Sequence, residues 1–553
     1  MYRSSHFYVG ILLTGFSWAV TSSGCKSNFE KDRSPPILQD TTVLSEKAYS
    51  QLLLDSSFVA DYVFRHKELD SFAHPIMDFY SRRNFHAAWY AKDTLGAAAH
   101  IFLTRLNSYV EATGDSSVAV INDAFLFDSN TNLQSSFTTN KALADIALTT
   151  SFFKYATKEY YGTDKPIRDL EWYIPRRKKD YLRLLNALVS SDTAHTLYEP
   201  NNHYYNSLKG ALLQLRAVER MGGYPSVRFI DKKLITTDTS EAIRQLKNYL
   251  AITDNYNPTD TTNNFSDSLK NCLRLYQKRM GLQASDFPDT ATIASMNVPV
   301  ASRIKQVMIN LERLRWLPEE TPDNYLMVNI PDFKLHIFEE RQLKWSMDVV
   351  VGKAATATNI FSDKLRYVVF NPYWNVPESI IVNELLPILK RNPGYIKQKN
   401  MEVLSGNKVV NPYSIKWSRY KTKVPYTIRE KPGNKNSLGL VKFLFPNQFN
   451  TYLHDTPAKS LFENNNRAFS HGCIRLAEAK KLANYIFRND STFSPEKIDT
   501  IIHQAKEAWV NVKPEVPVYI VYFTTWVDHT GRLNFRNDIY GLDEQIWSEV
   551  FGK

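Results

Sequence analysis

The feature that most constrains the fold of this chain is a change of sequence pattern at Pro322. Before Pro322, apolar residues recur at helical spacing, as in 142–161, and strand-like alternation is rare. After Pro322, short alternating or wholly apolar runs, such as 325–330 and 334–338, predict strands. At roughly 150 residues per domain, a chain of 553 residues has room for three or four domains. We therefore predict a multidomain α+β protein with a helical N-terminal part and a mainly β C-terminal domain.

Pattern shifts divide the chain further. We predict a helical scaffold domain over 44–235 and a small unit of three short helices over 236–300. An amphipathic linker helix follows over 301–320, and the β domain occupies 321–553. Within the β domain, a polar stretch over 377–424 that is rich in Asn and Lys interrupts the strand pattern. This stretch predicts an insertion that lies over the β domain as a lid.

The N-terminus predicts export. Residues 1–24 contain an apolar stretch from Phe7 to Val20 followed by small residues, the outline of a signal peptide. The stretch is shorter than the roughly 20 apolar residues that a transmembrane helix needs. The small residues before Cys25 resemble a bacterial lipoprotein cleavage box, in which the cysteine becomes the lipidated first residue. The alternative is plain secretion with Cys25 near the cleavage point, and in either case the polar residues 25–43 suit a tether.

Charge and cysteine content narrow the classes of function. A net charge of +11 favours an anionic partner, but nucleic acid has only this charge in its favour, and the predicted export argues against it. After Cys25 only Cys272 and Cys473 remain, which excludes a disulfide framework. Cys272 lies in a helical apolar stripe and is most simply a core thiol. Cys473 lies in no such stripe, so a thiol kept there requires another explanation.

The most informative run of the chain is SHGCIR at 470–475. A thiol that attacks an acyl group needs a lowered pKa, a base, and donors for the developing oxyanion. A helix predicted to begin just after Cys473 would lower the pKa of its thiol through the positive helix terminus. Gly472 allows a close approach of the backbone, so we expect the amides of Gly472 and Cys473 to face the oxyanion.

His454 is the natural base, because it ends a strand-like run at 451–454. His471 is the rival, although a near sequence neighbour of Cys473 is poorly placed to transfer a proton in line. Three other interpretations of these residues stay open. Cys473 and the two histidines could form a zinc site, although the usual pairwise ligand spacing is absent. Cys473 could also be an inert core thiol, and Arg475 an ordinary surface ion-pair residue.

The run SHGCIR resembles the signature of the L,D-transpeptidases, bacterial cysteine enzymes that crosslink peptidoglycan. Other blocks resemble the large YcbB-type branch of that family. In the C-terminal part these are VVGK at 350–353, NPYWNVP at 371–377, PGNKNSLG at 432–439 and YLHDTP at 452–457, and in the helical part FYSRRNFHAAW at 79–89 and EWYIP at 171–175. The resemblance therefore covers nearly the whole chain after the tether.

The resemblance implies a fold and a set of site residues. The catalytic domain is expected to be a β sandwich with a capping insertion, preceded by a scaffold domain and a domain that resembles a peptidoglycan-binding module. Cys473 matches the nucleophile and His454 the base, whose ring is oriented by a backbone carbonyl just after it. The positions around the cleft, which we predict to bind substrate, are those of Tyr452, Trp374, Ser470, His471 and Arg475, and the role of His471 stays open.

The resemblance also implies a reaction. The thiolate attacks the carbonyl of the third residue of a tetrapeptide stem, D-alanine leaves, and the side-chain amine of a second stem opens the thioester to give a 3-3 crosslink. The partners are thus peptidoglycan stem peptides, with membrane attachment through the anchor. No metal or organic cofactor is required, and the location is the periplasm of a Gram-negative cell. Acylation of Cys473 by carbapenems is a further expectation.

Two alternatives to crosslinking stay open. Water or another amine could resolve the acyl-enzyme, which would make the protein an L,D-carboxypeptidase or an enzyme that releases wall-linked proteins. A non-catalytic wall-binding scaffold is the third reading. In the small helical unit, Asp286 and Asp289 stand where the turn glycines of the peptidoglycan-binding module usually are, so this unit either binds glycan or is a spacer.

Overall fold

A computed structural model describes residues 52–91, 94–119, 137–176, 179–190, 201–228, 241–257, 264–504 and 506–552. The predicted signal peptide and the predicted tether with Cys25, the residue predicted to be lipidated, lie outside these ranges. Within these ranges, no helix is both long enough and apolar enough to cross a membrane.

The N-terminal part is helical. Its helices are α1 Ser56–Arg65, α2 Ala73–Arg82, α3 Ala97–Thr113, α4 Phe137–Ala156, α5 Tyr181–Ser190 and α6 His203–Arg220, with a short hairpin of β1 Tyr90–Ala91 and β2 Thr94–Leu95. The buried carboxylate of Asp145 on α4 ties the segment before β1 to this helix, because it accepts hydrogen bonds from the amides of Ala88 and Trp89. Trp89 then packs against Phe102 of α3 within the helical core.

The small unit contains α7 Glu241–Asp254, α8 Asp267–Arg279 and α9 Thr290–Met296. Asp289 is the N-cap of α9, because its side chain accepts a hydrogen bond from the amide of Thr292 at 2.8 Å. Asp286 forms an ion pair with Arg274 of α8. Both aspartates thus have structural partners within the unit. The linker helix, α10 Val300–Arg315, is buried on nearly every side from residue 309 onward, since it packs on α6 and on the C-terminal domain.

The C-terminal domain is mainly β, which confirms the predicted α+β architecture. In chain order its strands are β3 Tyr325–Asn329, β4 Lys334–Glu339, β5 Gln342–Gly352, β6 Phe361–Phe370, β7 Trp374–Asn375, β8 Met401–Ser405, β9 Lys408–Val410, β10 Thr427–Glu430, β11 Val441–Leu444, β12 Leu453–His454, β13 Ala468–Ser470, β14 Ile474–Leu476, β15 Ala508–Val521, β16 Thr525–Val527 and β17 Leu533–Phe535. Its helices are α11 Glu378–Ile380, α12 Leu386–Leu389, α13 Tyr395–Gln398, α14 Ala479–Ile486, α15 Pro495–His503 and α16 Leu542–Ile546, with π-helical turns at Ile381–Leu385 and Trp547–Phe551.

Nine of these strands form one sheet in the order β13-β5-β14-β12-β11-β6-β15-β3-β4. The long strand β5 pairs with β4 through residues 342–348 and with β14 through Val349 and Val350. The sheet therefore curls back on itself around a shared apolar core, and the two layers of the predicted sandwich are parts of one continuous sheet.

The insertion forms a cap with its own sheet, in the order β7-β10-β8-β9, and its own apolar core. A helical arm over 378–389 runs through α11, the first π-helical turn and α12. Trp374 of β7 pairs with Glu430 of β10, so the two ends of the insertion close on each other. The cap thus begins before and ends after the predicted range 377–424, because these bounding strands belong to its sheet.

Candidate active site

Cys473 lies in a tight loop between β13 and β14. The hydroxyl of Ser470 donates to the carbonyl of Cys473 at 2.5 Å and accepts from the amide of Gly472 at 3.2 Å. Gly472 has a φ of +105°, a backbone conformation that side chains with a Cβ rarely adopt. The loop therefore needs glycine at 472 for its shape, and Ser470 fixes that shape from inside.

A second loop, at 352–358, holds the nucleophile loop in place. The amide of Lys353 and the hydroxyl of Thr356 donate to the carbonyl of Ser470 at 3.0 and 3.1 Å. The hydroxyl of Thr358 donates to the carbonyl of Gly472 at 2.9 Å. Thr358 in turn accepts from the amide of Gly352, whose carbonyl accepts from Tyr540 near the C-terminus. Sequence reasoning did not find Tyr540, because nothing in its local sequence signals a contact with residues so far away.

Strand register brings the predicted base next to the nucleophile loop. β12 and β14 are parallel neighbours, with His454 opposite Arg475, and the carbonyl of Tyr452 accepts from the amide of Ile474 at 3.1 Å. Cys473, which directly precedes β14, thus lies beside Tyr452. Residues two apart on a strand face the same side, so Cys473 and Arg475 share one face.

His454 is buried, and its Nδ1 lies 2.5 Å from the carbonyl oxygen of Asp455. A carbonyl can only accept, so Nδ1 carries the proton of the neutral ring and Nε2 carries the lone pair. Burial, with the nearby charges of Arg475 and Lys442, lowers the pKa of His454 to about 3, although the carbonyls of Asp455 and Leu438 oppose this shift. The imidazole is therefore neutral at neutral pH and able to accept a proton.

Burial raises the pKa of the Cys473 thiol, although the amide and hydroxyl of Tyr452, Lys442 and Arg475 oppose this shift. The thiol is therefore protonated in the free protein, and a base must remove its proton before or during attack. Its Sγ lies 3.9 Å from the carbonyl oxygen of Asn450, and within the described part of the chain no hydrogen bond joins it to His454. The proton can be transferred once the sulfur and Nε2 come within hydrogen-bond distance of each other.

Tyr452 links the thiol to the cap. Its hydroxyl lies near the thiol of Cys473 and the indole of Trp374 on β7, and burial raises the pKa of this phenol. The ammonium of Lys442 lies 3.9 Å from the centroid of the Tyr452 ring. Sequence reasoning missed Lys442. The signal that could have found it is a lysine inside the otherwise apolar run VKFLF at 441–445, where a cation needs a reason to be half-buried.

The ring of His471 is turned toward the cap. Its Nε2 lies 3.0 Å from a carboxylate oxygen of Glu384 on the helical arm, and both side chains are half-exposed. The structure thus brings Cys473, His454, Tyr452, Trp374 and Arg475 together around one cleft and leaves His471 at its edge.

Two expectations about the thiol change with the structure. The expectation of a helix N-terminus at Cys473 is wrong, because β14 follows the cysteine and the next helix, α14, begins only at Ala479. We also expected two free amides to face the oxyanion, but the amide of Gly472 already donates to the hydroxyl of Ser470. The amide of Cys473 has no hydrogen-bond partner among the described residues, so it is the donor that stays available for an oxyanion. The same part of the chain holds no group of three metal-ligating side chains.

Two regions of the chain match families of known proteins. Residues 323–499 match the family model described as the L,D-transpeptidase catalytic domain, and residues 74–212 match the Scaffold domain. A Haemophilus influenzae protein named "Putative L,D-transpeptidase" is 35% identical over 244 residues, which are 44% of this chain and 49% of that protein. The chain therefore spans about half the length of this relative.

Among solved structures, an L,D-transpeptidase from Stackebrandtia nassauensis is 13% identical, with a TM-score of 0.21, over 54% of this chain and 96% of that chain. The Ldtfm–avibactam carbamoyl enzyme is 10% identical, with a TM-score of 0.15, over 46% of this chain and 80% of that chain. At these TM-scores the two structures carry no argument about the arrangement of the domains.

Proposed function

Since the chain carries the catalytic domain of the L,D-transpeptidases together with their scaffold domain, we propose that it forms 3-3 crosslinks in peptidoglycan through a thioester on Cys473. The observation that carries this proposal is the register of β12 against β14, which sets a neutral, buried histidine beside the loop of a thiol. A nucleophile, a base with an oriented lone pair and a free amide are what acyl transfer requires.

In the first half-reaction the thiol turns toward His454, and Nε2 takes its proton as Sγ attacks the carbonyl of the third stem residue. The amide of Cys473 donates to the oxygen that becomes negative. The C–N bond to the fourth residue then breaks. His454 returns the proton to the leaving nitrogen, so that D-alanine departs as a free amine and the donor stem remains bound to sulfur.

In the second half-reaction the side-chain amine of another stem attacks the thioester. His454 accepts a proton from this amine as the new C–N bond forms, and it gives the proton to the leaving sulfur. The cap supports transfer to an amine over transfer to water, because its strand β7 places Trp374 near Tyr452 beside the thiol, where a closed cap keeps water from the thioester.

We also propose that the chain is exported to the periplasm of a Gram-negative cell and anchored there by a lipid on Cys25. The motif before Cys25 supports this, and metabolic labelling with a fatty acid tests it. Label is expected on the wild type and absent from Cys25→Ala. Equal labelling of the two proteins, or none on either, contradicts lipidation.

The test of the reaction is incubation of the protein with disaccharide-tetrapeptide, followed by mass spectrometry, with Cys473→Ala as control. A dimer that has lost one D-alanine, formed only by the wild type, is the expected result. Tripeptide without dimer would identify an L,D-carboxypeptidase. If no product depends on Cys473, while both proteins bind isolated wall, the chain is a wall-binding scaffold.

Carbapenems offer a second readout of the same thiol. Intact-mass spectrometry is expected to show one covalent adduct on the wild type and none on Cys473→Ala. An equal adduct on both proteins would place the reactive group elsewhere.

A further inference from the structure

Three polar residues form a row across neighbouring strands in the cleft. Lys442 of β11 is opposite His454 of β12, which is opposite Arg475 of β14. The residues beside them on these strands, Val441, Phe443, Leu453, Ile474 and Leu476, are all buried in the apolar core. Because side chains alternate along a strand, the row faces the other side of the sheet, where Tyr452 and Cys473 lie. His454 therefore has a cation on each side.

Neither cation is neutralised by a carboxylate. Nε of Arg475 is buried and has no hydrogen-bond partner, and neither Arg475 nor Lys442 forms an ion pair within the described ranges. The acidic groups nearby are engaged elsewhere. Glu507, whose charge acts on Lys442, accepts from the amide of Tyr373, and Asp455 accepts from the amide of Leu440 and pairs with Lys459.

Unpaired cations at such a depth are costly, and burial accordingly lowers the pKa of both Lys442 and Arg475. They also oppose protonation of His454, which must become a cation during catalysis. A bound anion would remove both penalties. The row is thus an anion site that surrounds the base.

On the basis of the proposed function, we propose that Lys442 and Arg475 form a carboxylate subsite, which receives the C-terminal carboxylate of the leaving residue of the donor stem. The carboxylate of an amino acid is separated from its nitrogen by a single carbon atom. His454 must reach this nitrogen to protonate it, so the carboxylate comes to lie beside His454, where the two cations are. The subsite then selects a stem that ends at the fourth residue. When that stem is bound, its carboxylate offsets the two cations, so that His454 can accept a proton.

The experiment compares two donors, disaccharide-tetrapeptide and the same molecule with a C-terminal D-alaninamide. The scissile bond is the same in both, and only the carboxylate differs. In the wild type, kcat/KM is expected to be roughly 10- to 100-fold higher for the acid, the usual effect of a charge-assisted hydrogen bond. Arg475→Gln is expected to remove most of this preference, because it lowers kcat/KM for the acid more than for the amide. Lys442→Gln is expected to give the same pattern with a smaller effect.

Lys364→Gln is the matched control, because Lys364 is an exposed cation on the same sheet and lies outside the cleft. Its preference for the acid is expected to equal that of the wild type. A second readout is the pH profile of alkylation of Cys473 by iodoacetamide, which is neutral and has no carboxylate to bind. If Arg475→Gln shifts this profile and slows both donors equally, Arg475 acts on the thiol and the subsite is wrong.

Failure of the subsite can be told apart from failure of the proposed function. A wild type that uses both donors equally well contradicts the subsite alone. If the wild type uses neither donor, the proposed reaction fails, and calorimetry with Cys473→Ala then decides the subsite. Tighter binding of the acid that is lost in Cys473→Ala/Arg475→Gln supports it, and equal binding of acid and amide overturns it.

Discussion

Two regions of this molecule hold buried charges in opposite ways. At the junction between the scaffold domain and the linker helix, Glu312 accepts from the amide of Thr163, from the indole of Trp316 and from Arg315. Arg315 also donates to the carbonyl of Glu159 at 3.0 Å. Each charge there has an opposite charge and several hydrogen bonds.

The row of Lys442, His454 and Arg475 contains two cations and no anion. Paired buried charges fix the position of one domain on another, whereas unpaired ones cost stability and, in our proposal, serve a ligand. If this distinction holds, substitutions in the two regions have opposite effects on stability and on activity.

The largest effect is expected at the junction. Glu312→Gln keeps the size of the side chain, but it leaves Arg315 with less compensating charge and puts an N–H₂ group where three donors converge. Breaking a buried pair in this way costs about 3 kcal/mol, to be measured by urea unfolding followed by tryptophan fluorescence. Glu241→Gln, in an exposed pair with Arg244, is the control and is expected to leave the free energy of unfolding unchanged. Equal costs for the two variants would contradict a structural role for the junction.

The next effect compares one substitution at two arginines. Arg279 is buried and paired with Asp254 at 2.8 Å, so Arg279→Met is expected to cost about 3 kcal/mol. Arg475→Met removes a cation that has no pair, and it is expected to leave the stability unchanged or to raise it by about 1 kcal/mol. Thermal unfolding of the two variants measures this. A loss at Arg475 as large as that at Arg279 would mean that Arg475 has a structural role.

The third effect is the pH dependence of stability due to His454. Its pKa is about 3 in the folded chain and 6.5 as the ordinary value, so between these pH values only the unfolded chain binds the proton. The contribution of His454 to stability is therefore fully present well above pH 6.5 and is lost as the pH falls, by about 1.6 kcal/mol between pH 6.5 and pH 5. Urea unfolding of the wild type and of His454→Gln at both pH values measures this loss. The curve of the variant is expected to be flatter by that amount, and parallel curves would contradict the burial of a neutral imidazole.

The smallest effect is expected between the cap and the nucleophile loop. Glu384 and His471 are 54% and 41% exposed, so their ion pair contributes less than about 1 kcal/mol. Glu384→Gln is expected to change the rate of carbapenem acylation by no more than a few fold, and high salt is expected to remove the difference. A 100-fold change in the acylation rate that persists in high salt would mean that this contact holds the cap in position, and would contradict a weak surface contact.

Much of the fold could be predicted from local patterns. Helical periodicity and alternation divide the chain at Pro322, and the polar stretch within the β domain predicts the cap. The chemistry of Cys473 and His454 could also be inferred, because a thiol nucleophile and its base require particular residue types. The predicted helix at Cys473 was wrong because the run Ile-Arg-Leu at 474–476 is so short that it fits the first turn of a helix as well as a strand. Pairing of β14 with β12 and β5 decides for the strand.

The sequence by itself determined which residues are candidates for the chemistry, since reactivity belongs to the side-chain type and its immediate neighbours. The tertiary structure decided which distant residues surround them. Lys442 lies 31 positions before Cys473, and only the register of β11 against β12 puts it next to His454. Tyr540 supports the nucleophile loop through Gly352 in a similar way. The register of a strand depends on how the whole sheet packs its apolar face. It therefore cannot be inferred from a local stretch of sequence.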